Sequence, residues 1–208
     1  MAIDSESLLL GKQVPAATRY APELLFPIPR REARDALGYG GEVPFEGVDI
    51  WHAYELSWLD SSDKAQARIG RFTIPATTPH LVESKSFKLY LNSLNNTVFD
   101  DEAAALACIV RDISAAAGGD VALAVFAPDD PALAGAHPRG QCIDTAAGRW
   151  PRREPEAEML QCARARVVEE QLYSHLLRSL CPVTGQPDWA TLWVHYRGPA
   201  LDHAALLS

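Results

Sequence analysis

The sequence predicts an α+β fold: a long antiparallel hairpin followed by two helices, with the same β-β-α-α unit begun a second time. Three observations carry this. An aromatic-rich run and an alternating run flank a turn between Ile50 and Ile74, two helical patterns follow between Ser84 and Gly118, and the segment order echoes itself further along.

Residues 1–45 carry Pro15, Pro22, Pro27, Pro29, Gly38, Gly40, Gly41 and Pro44, and are expected to form an irregular arm with at most one short helical turn. WHAYELSWL, ending at Leu59, reads as a strand. Asp60–Asp63 is a turn, and ARIGRFTI (Ala67–Ile74) alternates as the second strand of a hairpin. Ser84–Asn95 then places Phe87, Tyr90, Leu91 and Leu94 at helical spacing, with Lys85, Lys88 and Asn92 on the other side. A second helix opens with Asp100, Asp101 and Glu102, which suit the positive end of its dipole. Its stripe is Leu106, Ile109, Val110 and Ile113, and Gly118-Gly119 ends it. Val121–Ala127 reads as a buried strand and residues 128–162 as loop.

Val167–Leu180 is ambiguous by period, because Val168, Leu172, Leu176 and Leu180 recur every fourth residue and share a face in either a helix or a strand. The echo decides it. ELSWLD, a turn, a strand and VESKSFKLY are matched by LLRSLC, a turn, the strand ATLWVHY (Ala190–Tyr196) and LDHAALLS, with 23 positions from Asp60 to Glu83 and 21 from Cys181 to Asp202. Val167–Leu180 is therefore a strand, and the chain divides into an arm (1–45), a first unit (46–135), a connection (136–163) and an incomplete second unit (164–208).

The chain has 208 residues, 48% hydrophobic and 22% charged, which suits a packed core. A net charge of −8 argues against a large nucleic-acid footprint but leaves room for a local basic pocket. The N-terminus lacks a basic region and an apolar run of signal length, and no apolar stretch is long enough for a membrane span. The four cysteines form no CxxC pair and no His/Cys ligand spacing, so neither a zinc site nor a disulfide scaffold is expected. These features predict a reduced, cytoplasmic enzyme. No GxGxxG or GxxxxGK[ST] is present, and the five tryptophans are scattered.

Two segments carry candidate chemistry. Cys181 stands at a strand end before Pro182, with Asp188 seven residues on, in CPVTGQPDW. A thiol there can attack if its pKa is lowered, and an acid across the turn can protonate what the attack makes negative. From composition alone the same residues read more readily as a buried strand cysteine beside an N-capping or turn aspartate. In Glu83-Ser84-Lys85-Ser86-Phe87-Lys88, the acid and serines are what a helix N-cap requires. Alternatively, Glu83 accepts N–H groups from a guanine-like ring while Lys85 and Lys88 face phosphates. His175 and His195 lie in strand runs and read as packed or edge residues.

ESKSFKLYLNS (Glu83–Ser93) resembles the signature of the NADPH-dependent 7-cyano-7-deazaguanine reductases of queuosine biosynthesis, and LCPVTGQPDWA (Leu180–Ala190) is similar to their nucleophile segment. FEGVDIWHAYELSWL (Phe45–Leu59), GQCIDTA (Gly140–Ala146) and VVEEQLYSHLLRSL (Val167–Leu180) match the longer, duplicated members, in which the cysteine segment follows the ESK segment. The resemblance implies the tunnelling fold, with duplicated β-β-α-α units, an antiparallel sheet and helices on one face. It implies four-electron reduction of a nitrile to an amine in tRNA modification. Cys181 would form a thioimide, Asp188 would supply a proton, and Glu83 with Ser84 would hold the base. Ser84, Lys85 and Lys88 would line the NADPH region, and no metal is implied. The partner would be the small-molecule nitrile rather than nucleic acid or membrane, acting on a homo-oligomer such as a dimer.

The longer members continue past Ser208 with a Phe-His-Glu segment that this sequence lacks. The resemblance thus implies a truncated second unit, an apolar hairpin face left open over Val167–Tyr196, and poor solubility or little activity. Two alternatives remain: another tunnelling-fold purine or pterin-ring enzyme, commonly with His/Cys metal ligands, or a non-catalytic fragment that binds the base without turnover.

Overall fold

A computed structural model describes residues 17, 19–40, 43–147, 156–181 and 185–207. The chain divides into two compact units, Met1–Ala134 and Gly135–Ser208.

The Pro-rich stretch before the first hairpin holds more structure than its composition suggests. Strand β1 (Pro27–Pro29) leads directly into helix α1 (Arg30–Ala36). Proline is tolerated in β1 because the strand is short and lies at a sheet edge. The buried Arg30 side chain pairs with Asp49 and donates to Thr78 Oγ1 at 3.3 Å, so α1 is pinned at its first residue.

The hairpin follows as β2 (Val48–Leu59) and β3 (Ala65–Pro75), each slightly longer than its alternating core. Asp60 closes the turn, accepting from the amides of Ser62 (2.9 Å) and Lys64 (3.1 Å). These bonds hold its carboxyl below the ordinary aspartate range. Strand β4 (His80–Val82) pairs antiparallel with β1, then helices α2 (Ser84–Ser93) and α3 (Glu102–Ala117) run on. Asp101 caps α3 by accepting from Ala104 N at 2.7 Å. Gly118 ends it at φ +76, where an added Cβ would meet Pro79 Cγ at 2.6 Å. Strand β5 (Ala122–Phe126) completes the sheet in the order β2-β3-β5, all antiparallel.

Both helices lie on one face of this sheet. The core is Leu56, Trp58, Phe72 and Ile74 from the hairpin, Phe87, Tyr90, Leu91 and Leu94 from α2 and its C-cap, and Ala105, Ile109, Ile113 and Ala117 from α3. A β-bulge lets β2 fill it: Ala53 pairs Gly70 and Leu56 pairs Arg68, so Tyr54 and Glu55 together oppose Ile69. The bulge shifts the alternation by one. Ala53 on one side of it and Leu56 and Trp58 on the other all point inward despite their odd spacing.

A polar cluster ties the helices to the chain ahead of β1. The phenols of Tyr90 and Tyr20 donate to Asp112 Oδ2 at 2.7 and 2.6 Å, and Arg111 covers Oδ1 at 2.9 Å. Burial, then the hydrogen bond to Asp112, pushes both phenols far above the ordinary tyrosine value.

In the second unit, β6 (Gln141–Cys142) lies in the segment read as loop. It runs parallel to β7 (Cys162–Leu180), which pairs antiparallel with β8 (Pro187–Leu201). Two residues are too few to give a periodic signal. Val167–Leu180 is thus a strand, as the echo requires. Its register slips between Ser174 and Leu177, so His175 and Leu176 together oppose Thr191. This bulge falls six and five residues before Cys181, as Tyr54 and Glu55 fall before Asp60, which is the structural form of the echo. Ile143, Leu172 and Ala200 are buried, whereas Leu176, Leu177, Leu180, Trp189 and Trp193 are exposed. Helix α4 (His203–Leu207) follows β8, with Ala205 N donating to Asp202 at 3.0 Å.

Candidate functional site

Glu83 ends the turn between β4 and α2 and is 4% exposed. Its Oε1 accepts from Lys85 N at 2.9 Å and its Oε2 from Ser86 N at 2.7 Å, so it is the N-cap of α2. The capping role leaves room for further chemistry, because an ionised carboxylate has about four lone-pair sites and the two α2 amides take one each. Ser86 Oγ donates to Glu83 O at 2.7 Å and accepts from Phe26 N at 3.0 Å; Ser93 Oγ accepts from Ala21 N at 3.1 Å. Ser86 and Ser93 are seven residues apart on one face of α2, which the segment ahead of β1 therefore grips along its length.

The opposite side of α2 faces a pocket of about 360 Å³. Ser84, Phe87, Lys88 and Leu91 line it from the helix, and Trp51 through Glu55 line it from β2 and its bulge. Trp51 and Phe87 meet edge to face with centroids 5.8 Å apart, and His52 stacks on Tyr54 at 6.0 Å. Lys88 Nζ lies 2.7 Å from Glu55 Oε2 at the rim. The pocket thus joins aromatic walls to the Lys88 ammonium, the Glu55 carboxylate and the hydroxyls of Ser84 and Tyr54. Lys85, half-buried, is not among its lining residues.

Cys181 and Asp188 lie in the second unit, at the β7–β8 turn. Cys181 is half-buried; its amide donates to Gln186 O at 2.8 Å and its carbonyl accepts from Gly185 N at 2.9 Å. Asp188 is exposed and pairs with Ser179. Ser179 and Asp188 stand directly opposite and share one face of the hairpin, and Cys181 follows the end of β7 at the start of the turn. Pro182 falls outside the described residues. No disulfide joins the four cysteines.

The ESK residues and the cysteine pair belong to different compact units, so the structure groups each set within its own unit. His175 and His195 are engaged across the strands: His175 Nδ1 lies 2.8 Å from Thr191 Oγ1, and His195 Nε2 lies 3.1 Å from Glu169 Oε1. Among the described residues no group of three or more His, Cys, Asp or Glu is arranged to hold a metal ion, and no helix is long and apolar enough to cross a membrane.

Sequence reasoning missed the pocket walls and Glu55. The signal was present in WHAYELSWL: the buried spacing changes parity between Ala53 and Leu56, which marks a bulge, and bulges are common beside functional sites.

Compared with protein-family models, residues 16–125 match the nitrile reductase, 7-cyano-7-deazaguanine-reductase N-terminal family. The match spans more than half of the chain and includes the hairpin, both helices and the ESK segment. The chain belongs to this family. Its α+β architecture, with antiparallel hairpins and the helices of the first unit on one sheet face, is accordingly a tunnelling fold. The family is a queuosine-pathway family of oxidoreductases acting on a small molecule. Cys181 and Asp188 lie beyond the matched stretch.

Proposed function

We propose that the protein reduces the nitrile of 7-cyano-7-deazaguanine to the aminomethyl group of 7-aminomethyl-7-deazaguanine, using NADPH in the cytoplasm as a homodimer. The observation that carries this reading is the family match, joined to a cysteine just after β7 and an aspartate in the first residues of β8 at the same hairpin turn.

In this reading Glu83 holds the base. Its remaining lone pairs accept ring N–H groups, and the two amides of α2 that it caps keep the carboxylate fixed. Ser84, exposed at the first turn, lies beside it. The Cys181 thiolate adds to the nitrile carbon. A C–S bond forms, one C–N π bond breaks, and the electron pair goes to nitrogen, which takes a proton from Asp188 to give a thioimide. Addition turns a poor hydride acceptor into a more electrophilic C=N carbon. Two molecules of NADPH supply two hydrides, and with two protons the four-electron reduction balances. Expulsion of the thiolate after the first reduction returns Cys181.

The residues of the first unit fit such a cofactor. Trp51 and Phe87 suit a flat ring, and Lys88 and Ser84 suit a phosphate beside it. The reading extends to Lys85, which follows Ser84 on the same helix but does not line the pocket.

Mass spectrometry of the whole chain after mixing with 7-cyano-7-deazaguanine, without cofactor, tests the reading. A mass increase equal to the nitrile, lost in Cys181→Ala and on reduction with NADPH, is expected. Binding of the base with no adduct at Cys181 overturns it in favour of a non-catalytic, base-binding role.

A further inference from the structure

Among the described residues, Glu55 is the only carboxylate lining the aromatic pocket, and it sits in the bulge. Under either phase of the strand alternation one of Tyr54 and Glu55 would point into the core. The bulge instead turns both outward: Tyr54 is 68% exposed and so is the Glu55 side chain. There Glu55 meets Lys88, which lines the same pocket and is 63% exposed.

We infer that Glu55 tunes the pocket's affinity for an organic phosphate by occupying Lys88 until that phosphate displaces it. The inference rests on the reading above that this pocket takes one end of a dinucleotide. A carboxylate and a phosphate oxygen ask the same thing of an ammonium, so only one of them has Lys88 fully. The exchange is easy because an exposed ion pair is weak, held in high dielectric by two long side chains. The phosphate, with greater charge and an attached ring on Trp51 and Phe87, wins the exchange. The cost of displacing Glu55 from Lys88 lowers the affinity. Glu55 is thus a specificity and affinity residue rather than a catalytic one, and its effect runs through Lys88.

The test is a binding titration of the full chain with NADPH and NADH, read by quenching of tryptophan fluorescence, with no nitrile present. Glu55→Gln is expected to bind about two- to fivefold tighter, the range set by an exposed ion pair. Lys88→Gln is expected to bind more weakly. In the Lys88→Gln background, Glu55→Gln should lose its effect, which a merely structural role for Glu55 would not produce. Equal gains for NADPH and NADH identify the pyrophosphate as the group on Lys88, and a gain confined to NADPH identifies its extra phosphate. Unchanged or weaker binding by Glu55→Gln, a gain that survives without Lys88, or no binding of either dinucleotide overturns the inference. The adduct experiment is independent of it: an adduct at Cys181 with no Glu55 effect removes only this inference. A Glu55 effect without an adduct removes only the nitrile chemistry.

Discussion

The molecule contains the same hairpin twice, in two different settings. Leu56 and Leu177 both stand just past a bulge, yet Leu56 is 1% exposed and Leu177 is 49% exposed. Asp60 and Cys181 both begin the turn with a backbone bond across it, Asp60 N to Lys64 O at 2.9 Å and Cys181 N to Gln186 O at 2.8 Å. Asp60 spends its carboxylate on the turn amides, whereas the corresponding position in the second hairpin is a thiol. Burial in the first unit comes from α2 and α3, which cover one face of its sheet. The second hairpin has instead a small brace, the parallel strand β6 and the Ile143 amide bonded to Tyr173 O, with Ile143 and Leu172 buried. The strand pattern therefore fixes the backbone, and the elements packed on it decide what each position is worth.

The largest expected effect contrasts the two leucines directly. Leu56→Ala should cost the first unit about 2–5 kcal/mol, through lost burial and a residual cavity. Leu177→Ala should stay within about 0.5 kcal/mol, as exposed sites usually do. Denaturant unfolding with amide exchange as a local probe separates them, and comparable losses would mean that both hairpins are covered in solution.

A smaller effect is expected at the brace. Gly140 has φ +102, and a Cβ there would lie 2.2 Å from Gln171 O. Gly140→Ala should destabilise the β6–β7 junction by at least about 1–3 kcal/mol from backbone strain alone. Faster exchange of the Ile143 amide, which donates to Tyr173 O at 3.0 Å, with first-unit amides unchanged, is the expected pattern. Uniform acceleration through both units would erase the distinction between them.

The smallest is a pH effect in the same place. The hydrogen bond from Ser174, then that from the His175 amide, holds the Asp144 carboxyl below the ordinary aspartate range. A depressed folded-state pKa stabilises above the unfolded value of roughly 3.9 and ceases to do so as pH falls through the folded value. Protection of the His175 amide, taken relative to its intrinsic exchange rate, should therefore fall only at pH below about 4, and Asp144→Asn should flatten that dependence.

Much of the first unit was legible. Inward residues of β3 at Phe72 and Ile74, and those of β2 on each side of its bulge, follow a period of two, those of α2 and α3 a period near four, and Asp101 and Gly118 mark the ends of α3. The spacing of Val168, Leu172, Leu176 and Leu180 was not decisive, because four residues return to the same face of either element. Even the strand answer does not fix the faces, since the bulge leaves Leu172 buried and Leu176 exposed. The docking of the first residues was not readable. Phe26 and Ala21 bond to serines 60 and 72 positions away, and such partners leave no local pattern. At the site, Glu83 and Cys181 stood out by motif. The pocket beside α2 required three dimensions, because Trp51 and Phe87 meet only once the helix lies against the strand.

One consequence follows from the serine contacts on α2. Ser86 and Ser93 anchor the helix from behind while Ser84 and Lys88 look the other way, so the helix is locked against rolling about its own axis. Trimming or fusing the chain ahead of Phe26 would loosen that lock, and the damage would be felt across the helix as a blurred binding wall rather than as unfolding.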